Sequence, residues 1–229
     1  RSGSTVDGVL DSAERSAVRT AGRLARQLIT GEERRVREAH LITHLGSLHA
    51  VRAARSVGVF VAHDGEPNLQ PIIEQLWRDG QTVAVPVLAD DAADHNMSFV
   101  PWHGGEWSGG EWHGGEQLVP GRYDIPVPPD PERAAIRPDT LLVSLTAFDS
   151  NGGRMGRGGG FFDRYLADYL GCIVGVGFET QRTDHVPVEP HDVRLPTMVT
   201  DLGVRLMTRK RDQYRGNRGA IGKDGLPCE

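Results

Sequence analysis

The chain has few cysteines, no long apolar run and no excess of basic residues. Of its 229 residues only Cys172 and Cys228 are cysteines, which leaves no CxxC metal site and no multi-disulfide framework. The longest apolar stretches fall far short of the roughly 20 residues of a membrane span, and no signal peptide pattern is present. We therefore expect a cytoplasmic protein without a membrane partner.

The charge balance narrows the class of ligand. The formal net charge is -5 and the pI is near 6.0, so the chain lacks the overall basic character that nucleic-acid binding favours. We expect no nucleic-acid partner, whereas a small anionic ligand is compatible with this composition. The fingerprints G-x-x-x-x-G-K-[ST] and G-x-G-x-x-G are both missing. The length favours a single domain, and we expect a monomer.

Apolar strand-like runs alternate with amphipathic helix-like segments. Residues 56–62 and 82–88 are predicted strands around a predicted helix, and residues 140–148 and 172–178 repeat this arrangement. Such units pair their strands in parallel, and apolar runs without alternation are typical of strands covered on both faces. The pattern predicts one three-layer, Rossmann-like α/β domain, with an open, mainly parallel sheet and helices on both faces.

The predicted domain spans residues 14–208. We expect residues 1–13 to be disordered or derived from an expression vector, and residues 209–229 to be a flexible tail, because both are polar and lack periodicity. Residues 14–29 have apolar side chains at helical spacing. Another face of that helix carries an arginine stripe: Arg15, Arg19, Arg23 and Arg26. Spacing alone favours a solvated helix face for Arg15 and Arg19.

Residues 102–116 repeat W-x-G-G-E three times and hold three of the four tryptophans. A five-residue period fits neither a helix nor a strand, so we predict a loop or irregular hairpin inserted in the domain. One functional interpretation is an aromatic lid over a ligand, and another is a weak metal site. The metal site would use His103, Glu106, Glu111 and His113. The simpler interpretation is a tolerated expansion of a surface loop.

The strongest functional signal lies between Asp149 and Asp163, which enclose six glycines and two arginines. A buried-type strand precedes this loop and a predicted helix follows it. Ligands of open α/β sheets bind at the carboxyl ends of strands, and a helix N-terminus behind bare amides attracts phosphate. Arg154 and Arg157 would neutralise that phosphate, while Asp163 would repel it unless Mg²⁺ lay between them. The loop predicts a nucleotide–metal complex.

Composition alone leaves two other interpretations of the glycine-rich loop open. One is an Arg-Gly-rich RNA-binding segment, and the other is a structural turn without a ligand. RNA-binding segments of this kind are normally long and repeated. A single copy between a strand and a helix therefore weighs against RNA.

Five segments of the chain resemble, in order and approximate spacing over residues 14–205, motifs of the 5-formyltetrahydrofolate cyclo-ligase (methenyltetrahydrofolate synthetase) family. The glycine-rich segment is similar to the family loop R-L-G-x-G-x-G-Y-Y-D. The others resemble its basic N-terminal helix, its Glu-bearing segment with the second strand, its Ile-Pro-x-Pro turn and its C-terminal Pro-x-x-x-x-Asp element. In chain order the five read RSAVR, GEPNLQPIIEQLWRDGQTVAVPV, YDIPVPP, GGRMGRGGGFFDRYL and PVEPHDVRL.

The resemblance implies an enzyme that converts 5-formyltetrahydrofolate to 5,10-methenyltetrahydrofolate, using ATP and Mg²⁺ and releasing ADP and phosphate. In this chemistry the γ-phosphoryl activates the formyl oxygen, and ring closure follows. Positioning and charge neutralisation then matter more than a protein nucleophile. A second hypothesis is a catalytically silent homologue that binds nucleotide or folate in regulation.

The resemblance also implies roles for individual residues. ATP would contact Arg15, Arg19, Arg154, Met155, Gly156, Arg157, Gly158, Gly159, Gly160, Phe161 and Phe162. The folate would contact Val61, Glu66, Tyr123, Arg157, Gly158, Gly159, Gly160 and Phe161. Asp163 and Asp192 would share Mg²⁺, and Arg154 and Arg157 would be catalytic. Without the resemblance, Glu66 fits a surface acid at a strand end and Tyr123 fits a core residue.

The chain departs from the family pattern at the aromatic pair, at Gly159 and at Pro196. Phe161 and Phe162 stand where the family often has tyrosine, which keeps stacking but removes a hydroxyl. Gly159 stands where some members have lysine, so Arg154 and Arg157 carry more of the charge stabilisation. Pro196 replaces a usual acid four residues after Asp192, which alters the implied metal arrangement at that end of the chain.

Overall fold

The computed structural model describes residues 4–89, 94, 96–108, 111–113 and 115–207. Within these residues the helices are α1 (Ser4–Gln27), α2 (Gly31–Ser47), α3 (His49–Arg52), α4 (Gln70–Arg78) and α5 (Phe161–Leu166). The first helix begins at Ser4, well before the start at residue 14 that the apolar spacing predicts. The predicted tail at residues 209–229 lies outside the described part of the chain.

Seven strands form the main sheet. Their bounds are β1 (Ser56–Gly58), β2 (Thr82–Leu88), β3 (Met97–Pro101), β8 (Thr140–Ser144), β11 (Cys172–Val176), β12 (Thr197–Thr200) and β13 (Gly203–Leu206). Across the sheet these strands follow the order β13-β12-β11-β8-β1-β2-β3.

Three small ribbons pair the remaining strands. They join β4 (Glu106–Ser108) with β5 (Glu111–His113), β6 (Val119–Pro120) with β7 (Pro126–Val127), and β9 (Ala147–Phe148) with β10 (Arg154–Met155). The first of these antiparallel ribbons falls within the tryptophan repeat, as the predicted irregular hairpin requires. The side chains of residues 106–114, which the proposed metal site of the repeat would need, lie outside the described part of the chain.

The five central strands run parallel and the two edge strands run antiparallel to their neighbours. The mainly parallel α/β sheet expected from the strand–helix–strand pattern is therefore confirmed. From β1 the chain proceeds outward through β2 to one edge, and later from β8 through β11 to the other. The strand order therefore reverses between β1 and β8, and ligands of open α/β sheets bind at such a switch point.

Successive residues of the central strands face two different hydrophobic cores. Val83 and Val85 pack in a core with α2, α3 and α4, whereas the intervening Ala84 packs in a second core with α5. Leu141 and Leu142 divide between the two cores in the same way. Because both faces are covered, the strands lack polar alternation, and the predicted three-layer arrangement is confirmed.

The predicted strand over residues 140–148 breaks in the structure. β8 ends at Ser144, and the chain then turns so that β9 pairs with β10. The reason lies in the intervening carbonyl of Leu145, which accepts hydrogen bonds from the side chains of Arg26 (3.0 Å) and Gln181 (2.9 Å). A carbonyl that binds side chains is withdrawn from the sheet ladder.

The helix α1 packs directly against this break. Gly22, within α1, lies so close to the Thr146 carbonyl that a Cβ atom there would overlap its oxygen. The absence of a side chain therefore allows the helix to approach the strand end, which brings the arginine stripe to the carboxyl edge of the sheet. None of the helices among the described residues is both long and apolar enough to cross a membrane.

We predict opposite effects for alanine at two helical glycines. Alanine favours a helix over glycine by about 1 kcal/mol. In Gly22→Ala the overlap with the Thr146 carbonyl should outweigh this gain and lower the free energy of unfolding by about 2 kcal/mol. In the control Gly46→Ala the new Cβ meets only Ile72 Cδ1, at 3.8 Å, so stability should rise. Urea unfolding measures both, and a Gly22→Ala protein as stable as the parent would contradict the close approach.

Candidate functional site

A cleft of about 660 Å³ opens at the carboxyl ends of β1, β2 and β8. Its lining includes Glu66, which follows β1, and Leu145, which follows β8, so it lies at the switch point of the sheet. The predicted site residues that line the cleft are Arg15, Arg19, Glu66, Tyr123, Arg154, Met155, Gly156, Arg157, Gly158, Gly159, Gly160, Phe161, Phe162, Asp163 and Asp192. Val61 differs, because its side chain packs against the first hydrophobic core instead.

The arginine stripe of α1 contacts two loops of the cleft. Arg15 donates from Nη1 to Asp192 Oδ2 at 2.7 Å and to the Pro187 carbonyl at 2.8 Å. Arg19 donates from Nε to the Gly156 carbonyl at 3.0 Å, within the glycine-rich loop. The solvated helix face that spacing alone favours is therefore wrong for these arginines. Their spacing identifies the shared helix face correctly, but the partners come from distant parts of the chain.

Glu66 is buried at the base of the cleft and is not the surface acid that its position in the sequence suggests. Its residue exposure is 5%, and its Oε2 atom accepts the backbone N–H of His63 at 3.1 Å. Its Oε1 atom lies 3.7 Å from Arg26 Nη1 and 3.7 Å from Arg157 Nε. The site thus joins a carboxylate after β1 to an arginine of the glycine-rich loop.

Backbone conformation explains several glycines of that loop. Gly158 and Gly160 have φ values of +101° and +68°, which L side chains rarely adopt, and Gly160 directly precedes α5. The start of the loop is anchored by the buried carboxylate of Asp149, which accepts the N–H groups of Gly153 and Val186, each at 2.9 Å. The loop is therefore held at its base while its tip lines the cleft.

Asp163 pairs with the first arginine of the loop. Arg154 Nη2 donates to Asp163 Oδ1 at 2.6 Å, and the same oxygen accepts the Val193 N–H at 3.3 Å. The Arg154 side chain is only 3% exposed, and its Nε atom is buried with no hydrogen-bond partner among the described residues. Asp163 therefore ties the glycine-rich loop to the segment that carries Asp192.

Glu189, His191 and Asp192 bring side-chain donor atoms within 4.8 Å of one another, the arrangement among the described residues that could hold a metal ion. Burial alone would raise the pKa of the Asp192 carboxyl. The hydrogen bond and charge of Arg15, together with the Glu189 N–H, outweigh burial and hold that pKa below its usual range. An ionised carboxylate beside other oxygen donors suits Mg²⁺. Asp163, the other predicted metal ligand, lines the same cleft but lies outside this group.

Part of the cleft lining is aromatic and apolar. Tyr123 is 60% exposed, so it is not a core residue, and its ring meets the Phe161 ring edge to face at 6.3 Å. The Arg122 guanidinium lies 4.8 Å from the Tyr123 ring centroid. Leu88 and Ile125 also line the cleft. The cleft therefore offers apolar surface to a planar ring and cationic surface to an anion.

Among the charged and titratable residues, the sequence did not assign a site role to Glu189 and His191, which line the cleft. It also assigned none to Arg122, which covers Tyr123, or to Arg26, which reaches Glu66 from α1. A signal existed for three of these four residues. Arg26 belongs to the arginine stripe, and Glu189 and His191 lie inside the recognised segment PVEPHDVRL.

Comparison with known proteins gives one consistent family. A model of the 5-formyltetrahydrofolate cyclo-ligase family matches residues 11–201. The 5-formyltetrahydrofolate cyclo-ligase of Escherichia coli K12 is 35% identical over 184 residues, which cover 78% of this chain and 95% of that protein. The protein of the same name from Mycolicibacterium smegmatis is 30% identical over 171 residues, with coverages of 72% and 84%.

Solved structures agree with the fold. The NMR structure of Aquifex aeolicus 5,10-methenyltetrahydrofolate synthetase matches with a TM-score of 0.69 at 24% identity, covering 88% of this chain and 96% of that one. At this identity the likeness supports the fold alone. Membership is decided by the family model and the Escherichia coli relative, which confirm the resemblance carried by the motifs: the chain belongs to the 5-formyltetrahydrofolate cyclo-ligase family.

Proposed function

We propose that this protein converts 5-formyltetrahydrofolate to 5,10-methenyltetrahydrofolate, with ATP used as its Mg²⁺ complex and ADP and phosphate released. The observation that carries the proposal is the approach of Arg157 Nε to Glu66 Oε1 at 3.7 Å. It joins a carboxylate suited to a pterin with a loop suited to phosphates in one cleft.

The folate side of the proposed site uses Glu66 and the aromatic side chains that line the cleft. A buried carboxylate pairs well with the ring N–H groups of a pterin, because charge-assisted hydrogen bonds are strong where water is excluded. Glu66 Oε1 lies on the side of Arg157, which lines the cleft. Tyr123 and Phe161 supply aromatic surface for the planar substrate.

The ATP side uses the glycine-rich loop and the two arginines that already pair with acids. Arg15 pairs with Asp192, and Arg154 pairs with Asp163. On binding of the nucleotide, the arginines would turn from these carboxylates to the phosphates, and Asp163 and Asp192 would become available as metal ligands. Mg²⁺ would supply neutralisation of the triphosphate charge when bound. The ion pairs thus keep both sets of charges compensated before the substrate arrives.

The proposed chemistry needs a site that positions two substrates. The formyl oxygen takes the γ-phosphoryl group and ADP leaves. The nitrogen at position 10 then attacks the formyl carbon and loses its proton to solvent, and the bond from that carbon to the phosphorylated oxygen breaks to release phosphate. Arg154 and Arg157 would stabilise the negative charge that moves during these steps. Arg157 belongs to the glycine-rich loop and its Nε atom lies 3.7 Å from Glu66 Oε1, which supports a role for it at the transferred group.

The direct test mixes the protein with ATP, Mg²⁺ and 5-formyltetrahydrofolate and follows the absorbance of the methenyl product. The proposal expects a rise that requires all three additions. Folate binding without any rise would instead favour a catalytically silent homologue. RNA affinity that is strongly salt-dependent and is lost in Arg154→Ala and Arg157→Ala would favour the RNA-binding interpretation.

Asp163→Asn is predicted to weaken Mg²⁺-dependent ATP binding and to leave folate affinity nearly unchanged. The amide keeps an acceptor for Arg154, so the loop should retain its position, while the charge that attracts the cation is lost. Titration with a non-hydrolysable ATP analogue, with and without Mg²⁺, measures the effect. Normal MgATP binding combined with lost turnover and a shifted pH profile would make Asp163 an acid–base residue instead.

Glu66→Gln is predicted to have the opposite effect to Asp163→Asn: it should weaken folate binding and leave ATP binding nearly unchanged. It removes one charge-assisted pairing from the folate side, worth about 1.5–3 kcal/mol, so the Kd for the folate substrate should rise about 10- to 150-fold. The Kd for the MgATP analogue should stay within about twofold of the parent value. Direct titration of each ligand separates the two. Equal losses for both ligands would show a general disturbance of the cleft.

A further inference from the structure

We infer that Arg26 is a positioning residue that orients Glu66 toward the folate. This inference rests on the proposed function, because it assumes that Glu66 holds the pterin. Arg26 does not line the cleft and contacts no proposed substrate group. Its part is to fix the loop after β1, residues 63–66, relative to the end of β8.

Arg26 is the largest fully buried side chain among the described residues, with an exposure of 0%. Its Nε atom donates to the Asp64 carbonyl at 2.9 Å, and its Nη1 atom donates to the Leu145 carbonyl at 3.0 Å. Its Nη2 atom lies 3.2 Å from Asp64 Oδ2. A planar guanidinium can make such contacts in several fixed directions at once, which an ammonium cannot.

These contacts cross the switch point of the sheet. Leu145 follows β8, whereas Asp64 and Glu66 follow β1. Burial lowers the pKa of the Arg26 guanidinium, while the charges of Glu66 and Asp64 raise it. An arginine in this setting stays charged, so an unpaired guanidinium would be costly here. The two acids and the Leu145 carbonyl compensate it, and they are thereby held at fixed positions around one group.

The loop carrying Glu66 needs such support because its backbone is in an unfavourable region. Asp64 has a φ of +53° and Gly65 a φ of +78°. Left-handed backbone is costly for a residue with a side chain and persists where its surroundings fix it. Arg26 holds the Asp64 carbonyl from one side, and Arg34 of α2 donates to the Glu66 carbonyl at 2.6 Å from the other.

Arg26 and Arg157 differ in solvent exposure, although each lies 3.7 Å from Glu66 Oε1. The Arg157 side chain is 37% exposed on the cleft side, so it can turn toward a ligand. Arg26 is enclosed, and its other donors are already engaged. Glu66 therefore keeps one cationic neighbour when Arg157 turns to the substrates, and its orientation does not depend on the glycine-rich loop.

The test compares Arg26→Lys with Arg23→Ala as a matched control. Arg23 lies on the same helix and pairs with the same Asp64 carboxylate, but its side chain is 57% exposed and does not line the cleft. In Arg26→Lys we expect both the Kd and the KM for the folate substrate to rise about tenfold, since one well-oriented charged hydrogen bond is lost. The Kd for the MgATP analogue should stay within about twofold in both variants, and Arg23→Ala should leave folate binding unchanged.

A double-mutant cycle with Glu66→Gln completes the test. If Arg26 acts through Glu66, the double variant should bind folate no more weakly than Glu66→Gln alone. Full additivity, or equal losses of folate and MgATP affinity in Arg26→Lys, would overturn the inference. Should Glu66→Gln itself leave folate binding intact, the proposed role of Glu66 fails instead. If Arg26→Lys does not fold, Asp64→Ala replaces it, because it removes the side-chain acceptor of Arg26 Nη2, and a selective loss of folate affinity is again expected.

Discussion

The site depends on the pairing of arginines from one helix face with acids and carbonyls from distant loops. Charges removed from water are costly unless they meet partners, so each arginine of α1 constrains the loop that compensates it. Arg15 fixes the segment of Asp192, Arg19 the glycine-rich loop, and Arg26 the loop of Glu66. These loops lie at the carboxyl edge of the sheet, and their relative positions define the cleft.

The cleft combines two kinds of surface that its substrates would need. Its lining includes aromatic and aliphatic side chains as well as arginines and the glycines of the loop. Glu66 lies beside Arg157 of that loop. A chain with a net charge of -5 can hold the two arginines of the loop because each has a nearby acid, Asp163 or Glu66, that is buried or half-buried.

Much of the fold was predictable because it follows from apolar runs and strand–helix alternation. Val83 and Ala84 face different cores, so the absence of alternation correctly indicated a covered sheet. The break at Leu145 was not predictable, because its cause is a buried arginine 119 positions away. For the site, the composition of residues 149–163 indicated an anion-binding loop. The expected roles of Glu66 and Tyr123 in folate binding came from the family resemblance alone. The burial of Glu66 and the exposure of Tyr123 depend on tertiary contacts, which the spacing of residues along the sequence does not reveal.

The ion pair between Arg15 and Asp192 joins residues 177 positions apart. A site that depends on a contact between such distant residues forms late in folding, because the chain between the two partners must be ordered before they can meet. During synthesis, the helix that carries Arg15 leaves the ribosome long before its acidic partner exists. A nascent chain would therefore expose an arginine-rich helix face throughout translation, and the proposed nucleotide site would be complete only when almost the whole domain has been made.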